Sequence, residues 1–265
     1  MTDNRIDLCF KKLRENNQKA LITFITMGDP DIETSKELVL QMEKSGASLI
    51  ELGVPFSDPM AEGPVIQEAN VRALKNDINL DKIFDAVSDL RNKTQIPLVY
   101  LMYYNSLLTY GIEKFFTRCS ECGVDGVIIP DLPFEESGEI YDYTVKYGVY
   151  QISMVSPTSS DERMKKICTG ANGFLYCVSS LGVTGVREGF STDFDNMFNR
   201  LSSFSDIPKC IGFGISKPEH ISTLKHYCDG LIVGSAIVRQ VESGKTPQEK
   251  ITNVSAKTKE LAAAL

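Results

Sequence analysis

Eight short apolar runs recur along the chain. They are Leu21–Thr26, Ser48–Leu52, Pro97–Tyr103, Gly126–Pro130, Tyr150–Val155, Gly173–Val178, Pro208–Phe213 and Gly230–Gly234. Each is close to continuously apolar rather than alternating, as expected of parallel strands covered on both faces. Stretches with apolar residues at helical spacing lie between them, among them Asp31–Gly46, Leu80–Asn92, Ile112–Cys122, Glu136–Tyr147 and Pro218–Cys228. No linker, low-complexity segment or shift of composition interrupts the series. Repeated β–α alternation of this kind predicts an α/β fold, a closed (β/α)8 barrel of the TIM type, as a single domain over residues 1–265. The competing architecture is an open doubly wound sheet, which should carry a Gly-rich dinucleotide turn after an early strand. Here that turn reads Met27-Gly-Asp-Pro-Asp, which is not G-x-G-x-x-G.

At 265 residues the chain can bury a large core without disulfide or metal staples. Apolar residues at 42% and charged residues at 24% exclude wholesale disorder. The net charge of -7, with no basic stripe, argues against general nucleic-acid binding, so a polyanion would need a local site. No apolar run is long enough to span a membrane. The segment Met1–Leu8 is charged and lacks the apolar core of a secretion signal, which makes the cytoplasm the expected compartment.

The seven cysteines are scattered. Cys119 and Cys122 have redox-like spacing but sit within a helical pattern, so packed thiols are expected. His220 and His226 fall in one predicted helix at positions that do not share a face. No metal site or His-based triad is expected, and acid/base chemistry falls to carboxylates, Tyr or Lys.

Two β-to-α connections stand out, Gly53–Pro64 with its prolines and Ser179–Phe190 with its glycines. Both belong to the C-terminal face of a barrel, where active sites of this fold are built. The first is stiffened by proline and the second has the make-up of a closing lid. Glu51 ends an apolar strand. It is either salt-bridged in the barrel mouth or held there with a raised pKa, able to give and take protons near neutrality. Asp58 and Glu62 follow on the Pro-rich loop, where solvated or capping charges are the plain expectation. Gly212-Phe-Gly-Ile-Ser follows the seventh strand, and Gly234-Ser-Ala-Ile-Val follows the eighth and opens a helix. Paired loops at this place form a common phosphate site, and with no conspicuous Arg or Lys beside them backbone amides would carry the binding.

The segment from Ile50 to Gln67, IELGVPFSDPMAEGPVIQ, resembles the signature of the tryptophan synthase alpha chain family. The likeness runs in order through Thr26-Met-Gly-Asp-Pro, Leu101-Met-Tyr-Tyr-Asn, Pro130-Asp-Leu-Pro-Phe-Glu-Glu, Gly182-Val-Thr-Gly and both Gly-rich turns. It implies cofactor-free, metal-free, aldol-type cleavage of indole-3-glycerol phosphate to indole and glyceraldehyde 3-phosphate, in tryptophan biosynthesis. It implies Glu51 as the main acid/base, and Glu62 at the place of the carboxylate that balances charge on the indole N–H. It also implies Tyr176 and Thr184 as orienting groups, and Phe24, Leu101, Tyr103 and Ile128 as walls of the indole pocket, although barrel core remains an alternative for some of these. Gly185, Phe213, Gly214, Gly234 and Ser235 match the phosphate cradle. Asp58, Pro59, Asn105 and Pro133 match a face for a beta chain, in an alpha2beta2 heterotetramer.

Two departures from the family pattern matter. The family's carboxylate at position 62 is Asp, so either the longer Glu side chain folds or the loop Ser57–Gly63 sits back. Ser180-Leu181 stands where relatives often carry Arg-Ser. The Glu62 departure keeps a second reading open, a low-activity regulatory subunit that mainly activates the beta chain. A stand-alone indole-releasing enzyme is a third reading.

Overall fold

The computed structural model describes residues 4–178, 193–212 and 214–265. Their strands form one all-parallel sheet. In chain order these are β1 (Ala20–Thr26), β2 (Leu49–Gly53), β3 (Leu98–Leu101), β4 (Gly126–Ile128), β5, β6 (Leu175–Val178), β7 (Lys209–Gly212) and β8 (Gly230–Val233). Strand β5 comes in two halves, Tyr150–Gln151 and Ser153–Val155, separated only by Ile152. The first half pairs with β4 and the second with β6, so the break at Ile152 is where the ladder passes from one neighbour to the other. Each remaining strand pairs with its sequence neighbours, and β1 also pairs with β8, which closes the barrel.

The pairing register sorts the residues into two faces. Phe24 lies opposite Glu51, Leu101 opposite Ile128, and Met154 opposite Tyr176. Residues of this parity point into the barrel, where Ile22, Leu49, Val99, Ile128, Ile152, Phe174 and Ile232 form one buried cluster. The other parity, including Leu21, Ile50, Leu52, Tyr100, Leu175 and Leu231, packs under the helices. Burial on both faces is why the strands read as continuous apolar runs.

A helix over Arg5–Glu15 precedes β1 and places Ile6 and Phe10 in the interior cluster. The sequence pattern did not single out this plug at the N-terminal end of the barrel. It is tied down by Asp125, which stands at the start of β4 and is 2% exposed. Its carboxylate accepts from Arg5 Nη1 at 2.9 Å, Arg91 Nη2 at 2.7 Å and the Leu98 amide at 2.8 Å. Removing one partner of a buried ionic cluster strands the others. Asp125→Ala is expected to cost about 3–5 kcal/mol in urea unfolding, and a loss under ~1 kcal/mol would show that water replaces the carboxylate.

The helical segments follow the periodicity closely. Ile112–Cys122 forms as expected, and Ile32–Lys44 and Leu80–Arg91 agree within two residues at each end. Two expectations need correction. The stretch Glu136–Tyr147 divides into a 3-10 turn at Phe134–Glu136 and a helix over Gly138–Tyr147. The helix from Pro218 stops at Leu224, so His226 lies in the turn beyond it and shares no helix with His220. All seven cysteines are unpaired, and Cys119 and Cys122 are buried on the inner side of their helix. Among the described residues no cluster of His, Cys, Asp and Glu could hold a metal ion, and no helix is long and apolar enough to cross a membrane.

Candidate active site

The inward parity of β2 brings Glu51 to the barrel mouth, where it is 1% exposed. Its Oε1 has no hydrogen-bond partner among the described residues. Among the described residues no Lys, Arg or His forms an ion pair with Glu51. Burial, reinforced by the nearby negative charge of Glu62, raises its pKa from an ordinary 4.5 to about 8. Desolvation penalises the charged form, and a like charge adds to the penalty.

The loop after β2 turns back over this mouth. The Val54 amide donates to Leu101 O at 2.9 Å, and the Phe56 amide to Asn70 Oδ1 at 2.9 Å. The Ala61 amide donates to the Tyr103 hydroxyl at 2.9 Å, and Gln67 Nε2 donates to Glu62 O at 2.9 Å. The helix Pro64–Leu74 that receives the loop is itself clamped, because Arg72 forks onto Asp29 at 2.9 and 2.8 Å. Asp58 remains exposed, as expected of a loop charge, whereas Glu62 is 5% exposed and lines the cavity below. The solvated-charge expectation therefore fails for Glu62: a loop tied down at several points turns that side chain inward.

Glu51 and Glu62 share a cavity of about 160 Å³ at the C-terminal end of the barrel. Phe24, Leu101, Ile128, Tyr176, Gly214, Gly234 and Ser235 all line it. Tyr103 does not. It caps the helix Tyr104–Tyr110, stacks on Phe56 with centroids 4.9 Å apart, and spends its hydroxyl on the loop. Thr184, Gly185, Phe213 and the Ser180-Leu181 pair lie outside the described residues. Ile66, Met154 and Ile232 also line the cavity and were not foreseen. Met154 and Ile232 follow the inward parity once the register is known, but nothing in their own neighbourhoods marks them. A wider, open depression of about 1190 Å³ surrounds the plug helix at the opposite end. Its buried carboxylate, Asp125, is already engaged by two arginines, so the smaller cavity is the better candidate for chemistry.

Two glycines are dictated by this geometry. A Cβ on Gly212 would lie 2.4 Å from the Tyr176 ring, so only glycine leaves that ring its place. Gly214 has φ +79°, a left-handed conformation that side chains rarely adopt. Gly234 precedes the helix Ser235–Ser243, whose first amides are free of intrahelical partners. Among the described cavity walls there is no Lys or Arg, which leaves these amides and the helix dipole as the available anion-binding groups. Of the four residues expected on a partner face, Asp58, Asn105 and Pro133 are exposed, but Pro59 is buried, within a turn whose carbonyl accepts the Glu62 amide at 3.0 Å.

The raised pKa of Glu51 carries a stability cost of known sign. Between about pH 4.5 and 8 the folded protein holds a proton here that the unfolded chain has released, so stability falls as pH rises through that window. Glu51→Gln, neutral at every pH, is expected to melt above the unchanged protein at pH 8.5, and the gap should close at pH 5. A gap that is independent of pH would mean that the carboxyl is not desolvated as described.

The profile of the tryptophan synthase alpha chain family matches residues 10–265. A tryptophan synthase alpha chain from Alkaliphilus metalliredigens is 50% identical over 252 residues, covering 95% of this chain and 94% of its own. Among solved structures, tryptophan synthase subunit alpha from Legionella pneumophila is similar with a TM-score of 0.88 at 36% identity, covering 99% of this chain and 98% of its own. A chain of Mycobacterium tuberculosis tryptophan synthase is similar with a TM-score of 0.90 at 32% identity, covering 98% of both. With a family match over nearly its whole length and half its residues shared with such a relative, this chain belongs to the tryptophan synthase alpha chain family.

Proposed function

We propose that the protein is the lyase subunit that cleaves indole-3-glycerol phosphate into indole and glyceraldehyde 3-phosphate. The observation that carries this reading is a buried carboxyl with a pKa of about 8, facing a second carboxylate across an apolar cavity. Near neutrality Glu51 is mostly protonated yet readily ionised, which suits a group that must donate and then accept. Its proton passes to indole C3. The carboxylate left behind takes the proton of the glycerol hydroxyl at the carbon joined to C3. The hydroxyl oxygen then forms the aldehyde C=O, and the carbon–carbon bond electrons return to the indole ring. One proton has moved from hydroxyl to ring, and Glu51 is restored.

Protonation at C3 puts positive charge on the indole nitrogen, and Glu62 balances it by accepting the N–H. Phe24, Leu101 and Ile128 wall the indole, and Tyr176, held against Gly212, orients the substrate. The phosphate sits at Gly214, Gly234 and Ser235, with Gly185 and Phe213 matched to that role by resemblance alone, as Thr184 is to orientation. Partnership with a beta chain, in an alpha2beta2 assembly within the cytoplasm, completes the reading. The exposed Asp58, Asn105 and Pro133 suit that contact.

Indole release from indole-3-glycerol phosphate, measured with and without an added beta chain, tests the proposal. No release in either condition sinks it, and release only in trace amounts alongside full activation of the beta chain favours the regulatory reading. The phosphate assignment has its own test. Gly214→Val both blocks the approach and strains a left-handed residue, so KM for the phosphate ester is expected to rise about tenfold or more, with free indole bound as before. Equal weakening of both ligands would place the phosphate elsewhere.

A further inference from the structure

The loop that carries Glu62 is secured from outside itself by groups that touch no reacting atom in the scheme above. Its beginning is seated by Asn70, which accepts the Phe56 amide at 2.9 Å and spends its own amide on Ile66 O at 2.8 Å. The Phe56 ring then lies on the Tyr103 ring with the planes 19° apart. Its far end is held by the Tyr103 hydroxyl, which accepts the Ala61 N–H at 2.9 Å, one residue before Glu62. The turns inside the loop, Met60 N to Asp58 O and Glu62 N to Pro59 O, shape it but do not join it to the barrel.

Tyr103 is well placed to act as a fixed post. It is 6% exposed, directly beyond β3, with Met102 N bonded to Ile128 O at 3.0 Å and Tyr104 N to Asp131 Oδ1 at 2.9 Å on either side. We propose that Tyr103 is a positioning residue for Glu62: its ring seats the start of the loop and its hydroxyl fixes the peptide next to Glu62, so that the placement of the longer carboxylate is set from the barrel. The inference rests on the lyase reading and deepens it. A Glu in place of Asp has one more rotatable bond, so a given error in the backbone is carried further out to the carboxylate. Catalytic geometry tolerates little such error. Burial and the charge of Glu62 raise the phenol's pKa above its ordinary value, so the hydroxyl stays neutral across the working pH range.

The experiment is a double-mutant cycle on indole release, using the full chain with added beta chain. Tyr103→Phe keeps the stacked ring and removes only the oxygen. It should lower kcat about tenfold or more and leave KM for indole-3-glycerol phosphate within about twofold. In a Glu62→Ala background the same change should have no further effect, because the group being positioned is gone. Hydrogen exchange at the Ala61 amide should accelerate at least about tenfold in Tyr103→Phe as that bond is lost. An unchanged kcat, an equal loss in both backgrounds, a rise in KM alone, or unaltered Ala61 exchange would each overturn the inference. If the unchanged protein releases no indole, the lyase reading fails and the inference falls with it; if it does while Tyr103→Phe is unaffected, the inference alone fails.

Discussion

Glu51→Gln is expected to lower the rate of indole release by about 10²-fold or more, the scale of a lost general acid/base. Gln has the same shape but cannot titrate, so the cavity and the phosphate cradle should survive, and KM should change little. The unchanged protein should lose turnover as pH rises past about 8, because the proton-donating form of Glu51 disappears there. That limb should be absent from the residual activity of the variant. Both outcomes follow from one feature, a buried carboxyl in the barrel mouth with the negative charge of Glu62 beside it. Near-unchanged turnover in Glu51→Gln would remove Glu51 from the mechanism.

The second large effect concerns Glu62. Its backbone is held through Ala61 and Gln67, and its side chain is buried in the cavity wall. These ties favour the extra methylene relative to the family's Asp being taken up by the side chain. Glu62→Asp, working from the same fixed backbone, should stay within about tenfold of the unchanged protein. Glu62→Ala should fall by about 10²-fold or more, because no acceptor remains for the charge on the indole nitrogen. Measuring both variants with and without a beta chain separates chemistry from docking. If Glu62→Ala matches the unchanged protein in both conditions, Glu62 is a bystander, and the subunit serves its partner by some other route.

The strands and most helix positions were legible because burial leaves a periodic trace. Leu21 through Thr26 is buried throughout and nearly all apolar, since one parity fills the barrel and the other meets the helices. The helix over Ile112–Cys122 could be read to the residue because Gly111 and Gly123 bound it with positive φ. His226 was misplaced because a helix can stop wherever a turn competes, and the residues after Leu224 carry no Gly or Pro to announce it. The plug helix was missed because it buries only Ile6 and Phe10, too few to set a clear period.

The sequence by itself determined the barrel and the family, since both are written in local order, in eight buried runs and a long signature segment; it also marked Glu51 as a Glu within an apolar strand. It could not decide what those side chains face. Whether Glu51 meets a cation or an empty apolar mouth depends on seven other strands and on the register between them. Whether Glu62 is solvated depends on Tyr103, Asn70 and Gln67, which are brought to the loop only when β3 and the helix Pro64–Leu74 pack around it. Tyr103 shows the division most plainly. The family resemblance implies a pocket wall there, and the closed fold gives its hydroxyl a partner in the Ala61 amide. Desolvation, charge proximity and hydrogen-bond partnership all depend on distances through space, and only the tertiary structure sets those.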